Sequence, residues 1–291
     1  YEIRLSLVGS EMCIRDRTET KVHVHTNDPG NAIQYGIELG ELVNVKVDNM
    51  LARKRALEAE KAPAAVEAPA EPAKEFGMVA VSLGDGFSSI FRDLTVDVVV
   101  EGGQTMNPSV DDILNAINQV NAKCVFVFPN NGNVIFAANQ AAELAEKEVH
   151  VIPTKNVAMG IAAAVAFQDD VSGEENAKRM AEAAEHVKTG TVTYAVRDSE
   201  YNGVQIHKGD IIGMHNGKIE YCGNSVHDVV MDMMKAVVTD DAELITVYYG
   251  ADTTKEDAEQ VAAEIAEQYP NCDVDCLLGG QPLYYYLISV E

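Results

Sequence analysis

Polar side chains that suit ligand binding lie in four short segments, each of which follows an apolar run. They are Asp85 after the first run, Gln104, Thr105 and Asn107 after the second, Asn130 and Asn131 after the third, and Lys155 after the fourth. If the runs are strands of one parallel sheet, these residues meet at its carboxyl edge, where such sheets bind ligands. The Gly84-Asp85-Gly86 turn can also present backbone N–H groups to an anion. The four segments together predict a polar site. Segments 84–86 and 129–133 alone fit ordinary turn chemistry, whereas the loop 102–109 carries more polar groups than a plain connection requires.

Two histidines, His23 and His25, alternate with Val22 and Val24 in the period-two pattern of a strand. Their side chains are therefore expected on one face, and two imidazoles on one face can bind a metal ion such as zinc. A zinc site needs a third and usually a fourth ligand from elsewhere. Spacing alone favours two surface histidines over a metal site.

The cysteines and the remaining histidines show no further catalytic pattern. Cys124 and Cys222 have the sequence contexts of core residues, and Cys272 and Cys276 resemble half of a metal site without a second pair. We interpret them as structural, because free cysteine is among the most buried residue types. The sequence contains no P-loop, Gly-x-Ser-x-Gly or Gly-x-Gly-x-x-Gly motif. It therefore offers no activated nucleophile–base pair.

Four apolar runs between residues 76 and 188 alternate with helical segments, a pattern that predicts an α/β lobe with a doubly wound, largely parallel sheet. The runs cover 78–82, 96–100, 124–128 and 149–152. Ser109 with an acidic residue three positions later predicts a capped helix start. From residue 189 to 291 the rhythm changes to short strands, Gly-containing turns and two helices, which predicts a second lobe of α+β class.

The amino-terminal part is organised differently. Residues 18–50 combine the histidine strand, a helix expected to begin at Pro29 and a second alternating run, which together predict a partial βαβ unit. Residues 51–75 are rich in Ala, Glu, Lys and Pro and predict a linker. Residues 1–17 resemble a translated sequencing adapter, because Met12-Cys13-Ile14-Arg15-Asp16 fits the codons of a transposon end. On that interpretation the natural chain is truncated here.

Composition excludes several classes of partner. The 291 residues carry 22 Lys and Arg against 46 Asp and Glu, for a net charge of −24, which argues against binding nucleic acid. The apolar stretches are too short for a membrane span, and five cysteines without regular spacing favour a reducing cytoplasm. Lys155 and Arg197 stand out as cations in this acidic chain. Each could contact a partner or form an internal salt bridge, and the sequence favours neither explanation.

Five stretches in this order resemble one bacterial family, the ATP-binding subunit of fatty acid kinase, which is also described as a dihydroxyacetone-kinase-like (DAK2-domain) protein. The stretches are 23–30, 101–109, 129–133, 193–198 and 279–291, and the resemblance extends over residues 18–291. The last stretch contains a Gly-Gly-Gln sequence ending at Gln281 that echoes the one ending at Gln104.

The resemblance implies a parent with three parts: a nucleotide-binding kinase domain, a middle domain that dimerises, and a C-terminal domain that engages a DegV-type fatty-acid-binding subunit. The product would be an acyl phosphate. ATP and magnesium would belong to the kinase domain, which this sequence does not contain, so the fragment is expected to hold no cofactor and to be inactive alone. In the family, a cysteine upstream joins the two histidines in a metal-site-like cluster. Only His23 and His25 match here, so the zinc site is expected to be incomplete.

Two functions remain open from the sequence. The first is a non-catalytic part of a kinase subunit that docks its partner. The second is a self-contained two-lobed module that binds or hydrolyses a small molecule, with a crevice between the polar loops. A deep cleft lined by these residues favours the module, and an open polar edge favours docking.

Overall fold

The computed structural model describes residues 29–39, 74–102, 107–201, 204–215 and 217–291. The chain divides into two compact units, Tyr1–Glu71 and Pro72–Glu291. In the first unit the described element is helix α1 (Pro29–Leu39), which begins at Pro29 as predicted. Proline suits this position because its φ angle is helical and a first-turn residue needs no N–H partner. The two strands of the predicted βαβ unit, and the linker up to residue 73, lie outside the described residues.

The second unit begins with a four-stranded sheet in which every pair of neighbours is parallel. Its strands are β1 (Lys74–Ser82), β2 (Val98–Glu101), β3 (Ala122–Phe128) and β4 (Glu148–Val151), in the order β2-β1-β3-β4. These strands overlap the four apolar runs, and the prediction of a doubly wound parallel sheet is confirmed. Apolar runs suit this sheet because helices cover both of its faces.

Five helices connect or follow these strands: α2 (Asp85–Asp93), α3 (Val110–Gln119), α4 (Ile135–Leu144), α5 (Val157–Val165) and α6 (Gly173–His186). Helices α3 and α4 pack on one face through residues such as Ile117 and Ala138. Helices α2, α5 and α6 pack on the other through Phe91, Ala163 and Met180. The predicted capping box at Ser109 is present. At the starts of α5 and α6, the side-chain oxygens of Asn156 and Ser172 accept from the backbone N–H groups of Met159 and Glu175.

A six-stranded mixed sheet follows, in the order β11-β10-β12-β5-β8-β9. Its strands are β5 (Lys188–Tyr194), β8 (Ile211–His215), β9 (Lys218–Gly223), β10 (Leu244–Tyr249), β11 (Asp273–Leu278) and β12 (Tyr284–Val290); β6 (Ser199–Tyr201) and β7 (Val204–Ile206) form a separate hairpin. Helices α7 (Val226–Val237) and α8 (Lys255–Gln268) pack on one face. This confirms the α+β character of the carboxyl-terminal part.

The opposite face of the six-stranded sheet packs against helices of the first sheet. Phe87 of α2 and Ala162 of α5 share a buried cluster with Tyr248 of β10 and Leu287 of β12. The rings of Phe87 and Tyr248 have centroids 5.1 Å apart. Helices α2 and α5 therefore lie between the two sheets and fix the second sheet relative to the carboxyl edge of the first. Among the described residues, no helix has the length and apolar character needed to cross a membrane.

Candidate functional site

The strand order creates a switch point between β1 and β3. From β1 the chain moves to β2 on one side, and it then returns past β1 to β3 on the other. In open α/β sheets this arrangement leaves a crevice at the carboxyl ends of the two central strands. Ser82 is the last residue of β1, and Asn130 follows β3 by two positions. The polar loops predicted from the sequence therefore belong to one sheet edge.

Asn130 is buried at this switch point and connects three strand ends. Its side-chain amide donates to the carbonyl of Val81 at 2.8 Å, and its backbone N–H donates to Thr154 Oγ1 at 3.0 Å. The φ angle is +53°, a left-handed conformation that asparagine tolerates better than most residues. Gly160 of α5 gives the side chain room, because a Cβ there would lie 2.1 Å from Asn130 Oδ1. Asn130 thus acts as an internal tie between the ends of β1, β3 and β4.

Gln281 is the second buried amide of the edge, and it comes from the six-stranded sheet. Its Nε2 donates to the carbonyl of Tyr248 at 3.2 Å. The glycine loop before it packs on the start of α2, where the Phe87 N–H donates to Gly279 O at 3.1 Å. A Cβ on Gly280 would lie 3.3 Å from the Asp85 nitrogen. The Gly279-Gly280 loop therefore occupies the position at the start of α2 where the sequence predicted that an anion could bind.

The other described candidates are more accessible. Asp85, Asn107, Lys155 and Arg197 are exposed, and Asn131 is half-buried, with its Oδ1 accepting from the Asn133 N–H at 2.9 Å. Within the described residues, neither Lys155 nor Arg197 has an ion-pair partner. Arg197 follows β5 in the second sheet, whereas the other four follow strands of the first. The edge thus presents both charge signs and amides to solvent.

Three buried polar atoms at this edge have no hydrogen-bond partner among the described residues. They are Ser82 Oγ, Asn130 Oδ1 and Gln281 Oε1. Sequence reasoning missed Ser82 and Thr154, although both positions carried a signal: Ser82 is the last residue of the first apolar run, and Thr154 follows the fourth run by two positions. A small ligand or ordered water is the usual partner of such atoms.

Four predicted residues lie outside the described residues: His23, His25, Gln104 and Thr105. The predicted metal pair therefore stays a prediction. The prediction for the cysteines is confirmed for Cys124, which is buried, and wrong for Cys222, which is exposed on edge strand β9. A half-exposed edge strand alternates inward and outward residues, and Cys222 occupies an outward position.

No described thiol at the fold's core is prepared for nucleophilic chemistry. Burial raises the pKa of the Cys124 thiol to about 12, and the nearby charge of Glu148 contributes in the same direction. A thiol that keeps its proton at neutral pH is a poor nucleophile. This observation weakens the hydrolytic form of the second candidate function.

Two family models match this chain, and both describe parts of one kind of fatty acid kinase protein. The FakA-like C-terminal model of fatty acid kinase matches residues 77–291, and the FakA-like middle-domain model matches residues 4–57. The second match begins inside the 1–17 segment, whose interpretation as an adapter stays a prediction.

Curated relatives extend beyond this chain. Protein YloV of Bacillus subtilis is 40% identical over 284 residues, which are 97% of this chain and 51% of the relative. A Staphylococcus aureus protein of uncharacterised function, SAR1202, is 37% identical over 282 residues, again 97% of this chain and 51% of the relative. The chain thus spans about half the length of these relatives.

Solved structures share the fold at low sequence identity. A fatty-acid-binding DegV family protein from Thermus thermophilus superposes with a TM-score of 0.54 at 12% identity, over 75% of this chain and 99% of that one. The Streptococcus pneumoniae fatty acid kinase B3 protein, loaded with linoleic acid, gives 0.52 at 14%, over 75% and 99%. Dihydroxyacetone kinase from C. freundii gives 0.50 at 13%, over 74% and 48%. These likenesses establish the fold, and the family match over 77–291 establishes more: the chain belongs to the FakA-like family of fatty acid kinase proteins.

Proposed function

We propose that residues 77–291 are the partner-docking part of a FakA-type fatty acid kinase protein. The parent protein would phosphorylate fatty acids that a DegV-type fatty-acid-binding subunit carries, with release of acyl phosphates. The observation that carries the proposal is the match of this whole segment to the C-terminal domain of that family. The Streptococcus pneumoniae fatty acid kinase B3 protein, which carries linoleic acid, is the kind of partner we have in mind.

The division of the polar edge into buried and exposed groups supports docking. Asn130 and Gln281 are used internally and fix the strand ends and the glycine loop. Asp85, Asn107 and Lys155 project from the same edge and are exposed. A rigid edge that carries exposed polar groups suits a modest, partly hydrated interface, which two subunits that separate during turnover require.

Electrostatics further specify the partner's surface. With a net charge of −24, this chain attracts a surface rimmed with Lys or Arg. Attraction between exposed charges is screened by salt, so association should weaken as ionic strength rises. We therefore expect a basic rim on the fatty-acid-binding partner.

The turn at the start of α2 does not fit the phosphates of ATP. The start of α2, which follows the first strand as a phosphate-binding turn would, has its Phe87 N–H engaged by Gly279 O. A Cβ on Gly86 would lie 2.0 Å from Leu278 O, so the loop leaves no space there for a phosphate. We assign nucleotide binding and phosphate transfer to the part of the parent that lies outside this chain. Calorimetry with ATP and magnesium should give no heat of binding, and micromolar binding would contradict this assignment.

The remaining proposals concern the part of the chain that matches the middle-domain model. We propose that His23 and His25 form part of a zinc site that the parent completes with further ligands, and that this region contributes to a homodimer of the parent. Two imidazoles alone should bind zinc weakly, because a structural site uses four ligands. Restoring the upstream family segment with its cysteine should strengthen zinc binding, and a restored chain that binds no more tightly would favour surface histidines.

Docking is tested by calorimetric titration of the full chain with a DegV-type fatty-acid-binding protein from the same source, at low and high salt. Asp85→Asn and Asp93→Asn are a matched pair, because both remove one exposed carboxylate from α2. Asp85 lies at the carboxyl edge of the sheet, and Asp93 lies at the opposite end of the helix. We expect saturable binding that weakens with salt and is reduced by Asp85→Asn alone.

Two results would contradict the docking proposal. One is the absence of binding at tens of micromolar when an intact family protein binds the same partner. The other is an equal effect of the two Asp substitutions, which would remove the carboxyl edge from the interface. Asn131→Ala, on the next loop, serves as an independent probe of the same edge.

A second candidate function is favoured by one specific observation, the three unpartnered atoms Ser82 Oγ, Asn130 Oδ1 and Gln281 Oε1. On this alternative the switch point holds a small polar molecule in the chain itself. Native mass spectrometry distinguishes the two functions, because a resident ligand adds a discrete mass that disappears on denaturation. If the purified chain carries no such mass and still binds the partner, docking is the better description.

A further inference from the structure

A cysteine, a glutamate and a histidine meet on neighbouring strands, away from the carboxyl edge. Cys124 lies near the start of β3, and Glu148 and His150 lie two residues apart on β4. The parallel register pairs Cys124 with Glu148 and Phe126 with His150. The three side chains therefore share the sheet face that α6 covers, and none of them takes part in the docking edge.

The donor atoms of these residues are close enough to share one ion. One donor atom from each of Cys124, Glu148 and His150 lies within 4.8 Å of the other two, and His150 Nε2 is 2.8 Å from Glu148 Oε1. Zinc bonds of about 2.0–2.3 Å place tetrahedral donors roughly 3.3–3.8 Å apart. Small side-chain rotations are therefore enough to bring the three donors onto one ion.

Gly173, the first residue of α6, leaves the space that an ion and its water would need. A Cβ at this position would lie 3.0 Å from Cys124 Sγ, 3.1 Å from Glu148 Oε1 and 3.3 Å from His150 Nε2. One point beside the helix start is thus nearly equidistant from all three donors. A glycine there keeps the fourth coordination position free of side-chain atoms.

We propose that Cys124, Glu148 and His150 bind a zinc ion, with water as the fourth ligand. Thiolate and imidazole ligands select zinc over magnesium or calcium, which prefer oxygen ligands alone. The ion ties edge strand β4 to β3 and to the start of α6. It is separate from the histidine pair at 23 and 25, which belongs to the other unit of the chain.

Accessibility and charge are compatible with binding. Glu148 is mostly exposed and His150 is partly exposed, so the ion can enter from solvent and reach the buried Cys124. The His150 ring stacks on Phe126 with centroids 5.8 Å apart, which fixes its orientation. A thiol that coordinates the metal releases its proton to solvent, so a thiolate, a carboxylate and a divalent ion give a neutral site. The positive end of the α6 dipole therefore has no net charge to repel.

The test uses the full chain with both His23 and His25 changed to Ala, so that the other histidine pair cannot contribute. After chelator treatment, zinc is titrated and its stoichiometry is measured by elemental analysis. Cobalt(II) is added in parallel, because a thiolate–cobalt bond gives a charge-transfer band in the near ultraviolet. We expect one zinc per chain, a rise in Tm with zinc concentration and a charge-transfer band with cobalt.

Three variants locate the site. His150→Gln and Glu148→Gln remove ligands at accessible positions, and each should weaken zinc binding by about a hundredfold or more, since even outer-sphere partners contribute 10–100-fold. Gly173→Ala keeps every ligand and fills the space between them, so it should also weaken binding. Circular dichroism of the metal-free variants verifies that each remains folded.

Cys276→Ala is the matched control, because it removes a half-buried thiol that lies in the other sheet. It should keep the charge-transfer band, and Cys124→Ala should lose it. The proposal is overturned if the chain binds zinc no better than the His150→Gln variant, or if the charge-transfer band persists in Cys124→Ala.

Discussion

Gly86→Ala is the substitution that best tests how the two sheets are joined. Gly86 lies in the first turn of α2 and is buried against the strand that precedes the Gly279 loop. Its φ angle is not in the left-handed region, so alanine meets no backbone strain there. Helix propensity alone favours alanine over glycine by about 1 kcal/mol. Packing predicts the opposite sign.

The steric effect follows from the distances. A Cβ on residue 86 would lie 2.0 Å from Leu278 O and 2.6 Å from Leu278 C, whereas carbon and oxygen normally approach to about 3.3 Å. Both contacts are backbone atoms and cannot rotate away, so the loop or the helix must move by more than about 1 Å, and overpacking of this kind costs about 1–3 kcal/mol. If overpacking costs about 2–3 kcal/mol and helix propensity returns about 1 kcal/mol, Gly86→Ala should lower the free energy of unfolding by about 1–2 kcal/mol.

Gly132→Ala is the matched control, because no atom lies within 4 Å of the Cβ position and its φ angle is also outside the left-handed region. It should be neutral or stabilise the protein by up to about 1 kcal/mol. Thermal unfolding of the two variants is compared with that of the unsubstituted chain. At about 2–4 °C per kcal/mol, Gly86→Ala should lower Tm by about 2–8 °C. A Gly86→Ala variant as stable as Gly132→Ala would refute the close packing of α2 on the Leu278–Gly279 backbone.

Three further predictions concern single contacts. Asn130→Ala should lower the free energy of unfolding by about 2–4 kcal/mol, because it removes the hydrogen bond to Val81 O and places alanine in a left-handed backbone conformation. In chemical denaturation, Asn130→Gly should lose about 1 kcal/mol less, because glycine adopts this conformation without strain. Equal losses for the two variants would exclude backbone strain. The hydrogen bond that His227 Nε2 donates to the Glu264 carboxylate raises the pKa of His227. The stability difference between the chain and His227→Gln should therefore be larger at about pH 6 than at about pH 8.5, and a pH-independent difference would contradict the pairing. Ser109→Ala removes the capping box of α3 and should lower the free energy of unfolding by about 1 kcal/mol in chemical denaturation. An unchanged free energy of unfolding would show that the cap does not stabilise the protein.

Local signals explain why the first sheet was predictable. Its strands are short apolar runs between helices, and a strand buried on both faces must have this composition. The second sheet was predictable only as a class, because its order depends on distant pairings. Strand β12, the last in sequence, lies between β10 and β5. No local sequence pattern predicts that the last strand, β12, takes an interior position in the sheet.

The neighbouring amides show the same limit in the candidate site. The sequence placed Asn130 and Asn131 together in one polar loop, and it gave no indication which one would be buried. The left-handed φ angle of Asn130 turns its side chain inward to Val81, while Asn131 closes a turn with Asn133. The backbone conformation therefore decides that Asn130 is buried among the strand ends and that Asn131 remains partly accessible.

The cluster of Cys124, Glu148 and His150 was missed for a different reason, because it depends on the register between two strands. Glu148 and His150 are two residues apart on a strand, the same spacing that drew attention to His23 and His25. Cys124 was assigned to the core on its apolar context, which is correct for its burial and incomplete for its neighbours. The predicted runs 124–128 and 149–152 exclude Glu148, and aligning their starts would pair Cys124 with Val149. The structure pairs Cys124 with Glu148 instead, and a shift of one residue moves every side chain of a strand to the other face. Residue types that bind metals are therefore better searched for across paired strands than along one strand, because the shared face, and not the sequence interval, brings their donor atoms together.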